Sequence, residues 1–138
     1  MNHSQDMEQA VLGALMTDRE AIYQVSTLLH PEDFGDPKHQ TIYAAVLDLF
    51  EESQGIDILT VTDRLRAKGK LDSVGGAYYV TTISNRVASS ANLEYHAIIL
   101  KEHSVRRALS RKAAEVHQRA QDDTEDVFDL LSEVFQFN

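Results

Sequence analysis

Cysteine and tryptophan are absent from the 138-residue sequence, and proline and glycine are scarce, with two and six residues. Without cysteine the chain can form no disulfide, thiolate metal site or thiol nucleophile, and we expect a cytoplasmic protein. The longest uninterrupted apolar run, residues 42–47, is far shorter than the roughly 20 residues that a membrane-spanning helix needs. Because the first nine residues have neither a basic region nor an apolar core, we also expect no secretory signal.

Basic residues are in the minority: 13 Lys and Arg stand against 22 Asp and Glu, which gives a net charge of −9. Such a surface repels phosphate on average, so we expect no direct DNA binding and favour protein partners. The alternative is a local basic patch, and one such cluster exists, formed by Arg106, Arg107, Arg111 and Lys112. It contains no interleaved aromatic residues, which weakens a nucleic-acid interpretation.

The sequence is rich in helical periodicity. Apolar residues recur three and four positions apart along the chain, and no segment shows the alternation of a half-buried strand. We therefore predict an all-α fold: a globular helical bundle over residues 1–90, followed by a long antiparallel helical hairpin over residues 91–138. Asp6 and Asp57 precede periodic segments and are predicted to cap helices, and Pro37 is predicted to open one.

The hairpin is predicted from residues 92–121, which contain no proline or glycine, and from the short polar turn that follows. Each arm has a narrow apolar stripe, predicted to pack the hairpin and to join two copies of the chain. These residues are Val105, Leu109, Ala113, Val116, Val127, Leu130, Leu131, Val134 and Phe135. Some of them must close the hairpin internally, and the sequence does not separate these from residues that contact a second copy. The alternative is a hairpin that folds back onto residues 1–90 as ordinary core.

The two arms also differ in charge. Residues 101–119 contain six Lys and Arg against two Glu, whereas residues 122–133 contain six acidic residues and no basic one. Opposite charges across a helical pair help to set register and partner choice, although each exposed pair contributes under about 1 kcal/mol. The alternative is that two solvated faces simply differ in composition.

No phosphate-binding loop is present in the sequence. The only Gly-Lys pair, Gly69-Lys70, has Arg64 where the first glycine of such a loop belongs and Leu71 where the hydroxyl belongs. The motif binds nucleotide phosphates only with both glycines, the lysine and the hydroxyl residue in place. We therefore predict no catalytic residue and no cofactor-binding residue.

Histidines are frequent enough, at six, to require an explanation. Asp36 and His39, and also His96 and His103, have helical spacing. No second carboxylate–histidine pair completes a metal site in a helical bundle. The histidines are therefore predicted to lie on the surface or to pack between helices, and no metal site is predicted.

Six short segments occur in a recognisable order. They are residues 8–16, which read EQAVLGALM, and residues 31–34, 39–43, 56–61, 71–79 and 90–99. Together they resemble the amino-terminal domain of the DnaB-type replicative DNA helicases, whose opening motif is E-x-A/S-V-L-G-A/G-L/M. No single motif is decisive, but the resemblance extends from about residue 7 to Phe135.

The resemblance implies an all-helical domain whose hairpins pack between subunits, so that six domains form a collar arranged as a trimer of dimers. It also implies docking of primase on this collar and, in some systems, of a helicase loader. The RecA-like motor domain of the family, which uses ATP and Mg²⁺, is absent from this chain. We therefore expect these residues to have no ATPase or helicase activity and no cofactor of their own.

Two other classes of protein are the alternatives: a helical DNA-binding regulatory module and a helical metalloenzyme. The first would need a recognition helix with exposed basic and amide residues, and the second would need bound metal. The assembly interpretation instead predicts that Leu109→Asp or Leu131→Asp breaks self-association or unfolds the hairpin.

Overall fold

The computed structural model describes residues 3–86 and 90–136, and these contain seven α-helices, two short 3-10 turns and no β-strand. The predicted all-α fold is confirmed, and residues 137–138 of the predicted hairpin lie outside the described residues. The helices are α1 (His3–Thr17), α2 (Ala21–Val25), α3 (Pro37–Glu51), α4 (Ile58–Ala67), α5 (Gly76–Asn85), α6 (Leu93–Ala120) and α7 (Val127–Val134). The 3-10 turns are Pro31–Asp33 and Asp72–Val74.

Two of the three predicted helix starts are confirmed. Pro37 is the first residue of α3, and the Asp57 carboxylate accepts a hydrogen bond from the Thr60 backbone N–H at the start of α4. The Asp6 prediction is wrong, because α1 begins at His3 and Asp6 lies inside its first turn. An acidic side chain is favoured in a first turn by the helix dipole as well as at the cap, so one residue fits both positions.

The core is built around α1, which packs against α3 and α5. Its apolar face is buried together with that of α3, and Tyr43 of α3 donates a hydrogen bond from its hydroxyl to the Leu29 carbonyl oxygen at 2.9 Å. Burying a large apolar side chain contributes roughly 1.5–3 kcal/mol. The largest fully buried apolar side chains are Tyr43, Phe34, Leu12, Leu15, Leu29, Ile42, Leu49, Leu65, Ile83, Leu93 and Val11.

The turn before α5 has the left-handed residue that its two glycines predict. Gly75 has φ +101°, and a Cβ added there would lie 2.9 Å from the Tyr79 Cβ. Only glycine fits this conformation and this close approach without a shift of the neighbouring side chain. The turn therefore fixes the start of α5 and the position of Tyr79 within it.

The chain divides into two compact units, Met1–Ser104 and Val105–Asn138. The first half of α6 belongs to the first unit, because Leu93, Ala97 and Leu100 are buried in its core. The sequence placed the division at residues 90 and 91, where the pattern changes; the compact unit instead includes the broad apolar face at the start of α6. Among the described residues, no helix is both long and apolar enough to cross a membrane.

Candidate interaction surface

The second half of α6 presents the predicted stripe of Val105, Leu109, Ala113 and Val116, here called the α6 stripe. Leu109 is 65% exposed and Val105 is 47% exposed. Ala113 is exposed and Val116 is half-buried. The stripe is therefore largely apolar surface rather than buried core.

Helix α7 separates its apolar residues into a buried side and an exposed side. Leu130 is 4% exposed and Val134 is half-buried, so the chain itself already covers them. Phe128, Leu131 and Phe135, here called the α7 outer face, are 75%, 54% and 61% exposed. Val127 is also exposed. The sequence could not make this distinction, because apolar residues occur on more than one side of α7.

Arg119 connects the turn and α7 to the end of α6. Its guanidinium donates to the carboxylates of Glu125 and Glu133, and also to Glu115 one helical turn earlier. The bond to Glu125 holds the pKa of Arg119 above its usual range. The same guanidinium holds the pKa of the Glu133 carboxyl below its usual range. These contacts fix the position of α7 within the second unit.

A buried polar network connects α1, α3 and α5 in the first unit, and sequence spacing gave no signal of it. The His39 Nδ1 lies 2.6 Å from a Glu8 carboxylate oxygen, and its Nε2 lies 2.8 Å from the Tyr79 hydroxyl. Glu8 also accepts from the backbone N–H groups of Gly35 and Asp36. His39 is fully buried, which confirms that it packs between helices.

The donors and acceptors of this network form one consistent chain. Because the Glu8 carboxylate accepts, His39 carries its hydrogen on Nδ1, and Nε2 can accept from the Tyr79 hydroxyl. The Gln9 side-chain N–H then donates to the Tyr79 oxygen at 3.2 Å. The network connects three helices through buried and half-buried side chains, which indicates a structural role.

A second polar cluster joins the start of α6 to the 3-10 turn at residues 31–33. The Asp33 carboxylate accepts from Ser104 Oγ at 2.6 Å, from the His30 backbone N–H at 2.8 Å and from Lys101 Nζ at 3.0 Å. Burial alone would raise the pKa of Asp33, but these three donors hold it below its usual range. The cluster fixes the first half of α6 within the first unit.

The first unit also has a groove of about 640 Å³, lined by the end of α1 and by residues around α2 and the turn before α4. Tyr23 and Phe50 also line the groove, and their rings meet edge to face with the ring centroids 5.5 Å apart. Of its two carboxylates, Asp57 caps α4 and Asp18 accepts from Ser90 and from a backbone N–H. Both acids are thus used in structural hydrogen bonds.

Comparison with known proteins connects this architecture to one family. The chain matches the DnaB-like helicase N terminal domain model over residues 1–102. It is 45% identical over 129 residues to the replicative DNA helicase DnaB of Rhodothermus marinus, covering 94% of this chain and 14% of that protein.

Two solved structures give the same result. The N-terminal domain of DnaB helicase from Mycobacterium tuberculosis superimposes with a TM-score of 0.86 at 33% identity, covering 99% of this chain and 98% of that one. A DnaB-like replicative helicase, reported with its interactions with primase, superimposes with a TM-score of 0.79 at 28% identity, covering 99% and 32%. The chain spans only a small part of the full-length helicases, and it belongs to the DnaB-like helicase N-terminal domain family.

Proposed function

We propose that this chain is the N-terminal assembly domain of a hexameric replicative DNA helicase, and that its hairpin joins neighbouring copies into a collar. The observation that carries the proposal is the exposed apolar surface of the second unit, formed by the α6 stripe and the α7 outer face. Large exposed apolar surfaces on a protein mark interaction sites. Family membership identifies the process in which such an assembly would act, namely DNA replication.

The exposed apolar side chains of the second unit can supply the free energy of self-association. Burying one large apolar side chain contributes about 1.5–3 kcal/mol, and association costs about 4–15 kcal/mol in lost freedom of motion. Five large apolar side chains of the second unit (Leu109, Val127, Phe128, Leu131 and Phe135) are more than half exposed, and two copies contribute them twice. That surface is sufficient for a weak or moderate dimer, from which a trimer of dimers can be built.

Primase is the second proposed partner, and a helicase loader is the third. Primase docking is supported by the solved structure of a helicase, 28% identical to this chain, that was reported with its interactions with primase. ATP hydrolysis and Mg²⁺ binding are proposed to lie in a motor domain outside these 138 residues, since the sequence has no phosphate-binding loop. The absence of a cofactor and of direct DNA binding, and the cytoplasmic location, stay predictions.

The proposal is tested by the solution mass of variants of the hairpin. Leu109→Asp and Leu131→Asp each place a carboxylate in the proposed contact, so both should reduce the mass to that of one chain. Leu59→Asp is the matched control, because Leu59 is 78% exposed but lies on α4. It should keep the mass of the wild type.

Circular dichroism must show wild-type helix content in all three variants for the comparison to count. An unchanged mass for both hairpin variants would contradict the assembly role. Salt-sensitive binding to duplex DNA by the wild type would favour the DNA-binding alternative instead.

A further inference from the structure

The second unit has an uneven distribution of charge that its internal contacts do not neutralise. Residues 105–119 contain five Lys and Arg against one Glu, and residues 121–136 contain six acidic residues and no basic one. Within the described part of this unit, the only ion pairs from the first arm to the second are those of Arg119 with Glu125 and Glu133. Among the described residues, Arg106 of the first arm and Asp123 and Asp129 of the second form no ion pair.

Two basic residues lie beside the apolar surface. At 100° per residue, Arg106 and Lys112 project about 60° to either side of the α6 stripe. Arg106 is exposed and forms no ion pair with a described residue, whereas Lys112 pairs with Glu115 at 3.5 Å and also interacts electrostatically with Glu133 of α7. Basic residues that flank an apolar stripe are in the position from which coiled-coil helices select a partner.

The acidic arm carries the complementary charges. Asp123 and Asp129 are exposed and form no ion pair with a described residue. The Arg119 contacts hold α7 beside the last turn of α6. When two copies pair through their α6 stripes about a two-fold axis near the middle of the stripe, their α6 helices run antiparallel. Residues 115–119 of one copy then lie opposite about residues 103–107 of the other. This places the acidic arm of one copy level with Arg106 of its partner, and two-fold symmetry repeats the contact.

We infer that two copies of this chain select each other by charge, with the basic residues that flank the α6 stripe of one copy facing the acidic turn and α7 of the second. The inference rests on the proposed function, since it assumes association through the hairpin. It adds that the apolar stripe supplies affinity and that the complementary charges set register and partner. Arg106, Asp123 and Asp129 then have ionic partners in the assembly that they lack among the described residues of one chain.

The test is a charge exchange between two double variants. Arg106→Glu with Lys112→Glu reverses the two charges that flank the α6 stripe, and Asp123→Lys with Asp129→Lys reverses two exposed charges of the acidic arm, so each variant alone places like charges at the proposed contact. Each variant alone should self-associate at least about tenfold more weakly than the wild type at 50 mM salt. An equimolar mixture should recover association to within about threefold of the wild type, because every repulsive contact becomes attractive.

A second measurement needs no variant. Raising the salt from 50 to 500 mM should weaken wild-type association severalfold, since exposed charges are screened within a few ångströms at high salt. Double variants that associate as the wild type does, a mixture that fails to recover, or salt-independent association would each overturn the inference. If Leu109→Asp abolishes association while the charge exchange has no effect, the inference fails and the proposed function stands. If the wild type never associates, both fail.

Discussion

Replacing Glu8 by alanine would leave three donors without their acceptor inside the first unit. Glu8 is 2% exposed, and its carboxylate accepts from His39 Nδ1 at 2.6 Å, from the Gly35 N–H at 2.7 Å and from the Asp36 N–H at 3.3 Å. These bonds join α1 to the start of α3. Alanine keeps the helix and removes all three.

The size of the destabilisation depends on how many buried donors lose their hydrogen-bond acceptor. A buried donor without a partner costs about 1–3 kcal/mol, and Glu8→Ala leaves three donors without their acceptor. We expect Glu8→Ala to lower the free energy of unfolding by about 3–5 kcal/mol. Since domains are stable by only about 5–15 kcal/mol, the melting temperature should fall by on the order of 10–20 °C.

Urea and thermal unfolding followed by circular dichroism measure this loss. Glu8→Gln keeps an acceptor oxygen but places an amide N–H among donors, so an intermediate loss of about 1–3 kcal/mol is expected. Glu51→Ala is the matched control, because Glu51 is an exposed glutamate at the end of α3 and should change stability by less than about 0.5 kcal/mol. A Glu8→Ala protein within about 1 kcal/mol of the wild type would refute this account of the network.

Two further predictions concern single buried side chains of the first unit. The pKa of Asp33 is lowered in the folded state, so its contribution to stability is fully present above the unfolded value of about 3.9 and is lost as the pH falls through the folded value. Urea unfolding between pH 3 and pH 7 should therefore show a shallower acid loss for Asp33→Asn than for the wild type; parallel curves would contradict it. The buried hydroxyl of Thr62 has no hydrogen-bond partner among the described residues, so Thr62→Val should raise the free energy of unfolding by up to about 1 kcal/mol, and a loss above about 1 kcal/mol would count against this.

Local signals in the sequence predicted most of the helices. A stretch without proline or glycine predicted α6 to within one residue at each end, and Pro37 predicted the start of α3. These features act within a few residues of where they occur, so reading along the chain recovers them. The start of α1 was wrong because Asp6 satisfies two positions of a helix N-terminus equally well.

The contacts that fix the tertiary structure are the ones that the sequence could not provide. Glu8 and His39 are 31 residues apart, and His39 and Tyr79 are 40 apart. No spacing rule connects such residues, because their meeting depends on how α1, α3 and α5 pack. The same holds for Leu130 and Leu131. Leu130 is buried and Leu131 is exposed because of how α7 packs, and adjacent apolar residues in a sequence do not show which of them is covered.

The central claim is that the exposed apolar surface of the hairpin is covered by a second copy of the chain. Light scattering of the wild type across a dilution series measures this most directly. The account predicts a mass that rises from one chain toward two and then toward six as the concentration increases. A mass of one chain at every concentration would contradict it.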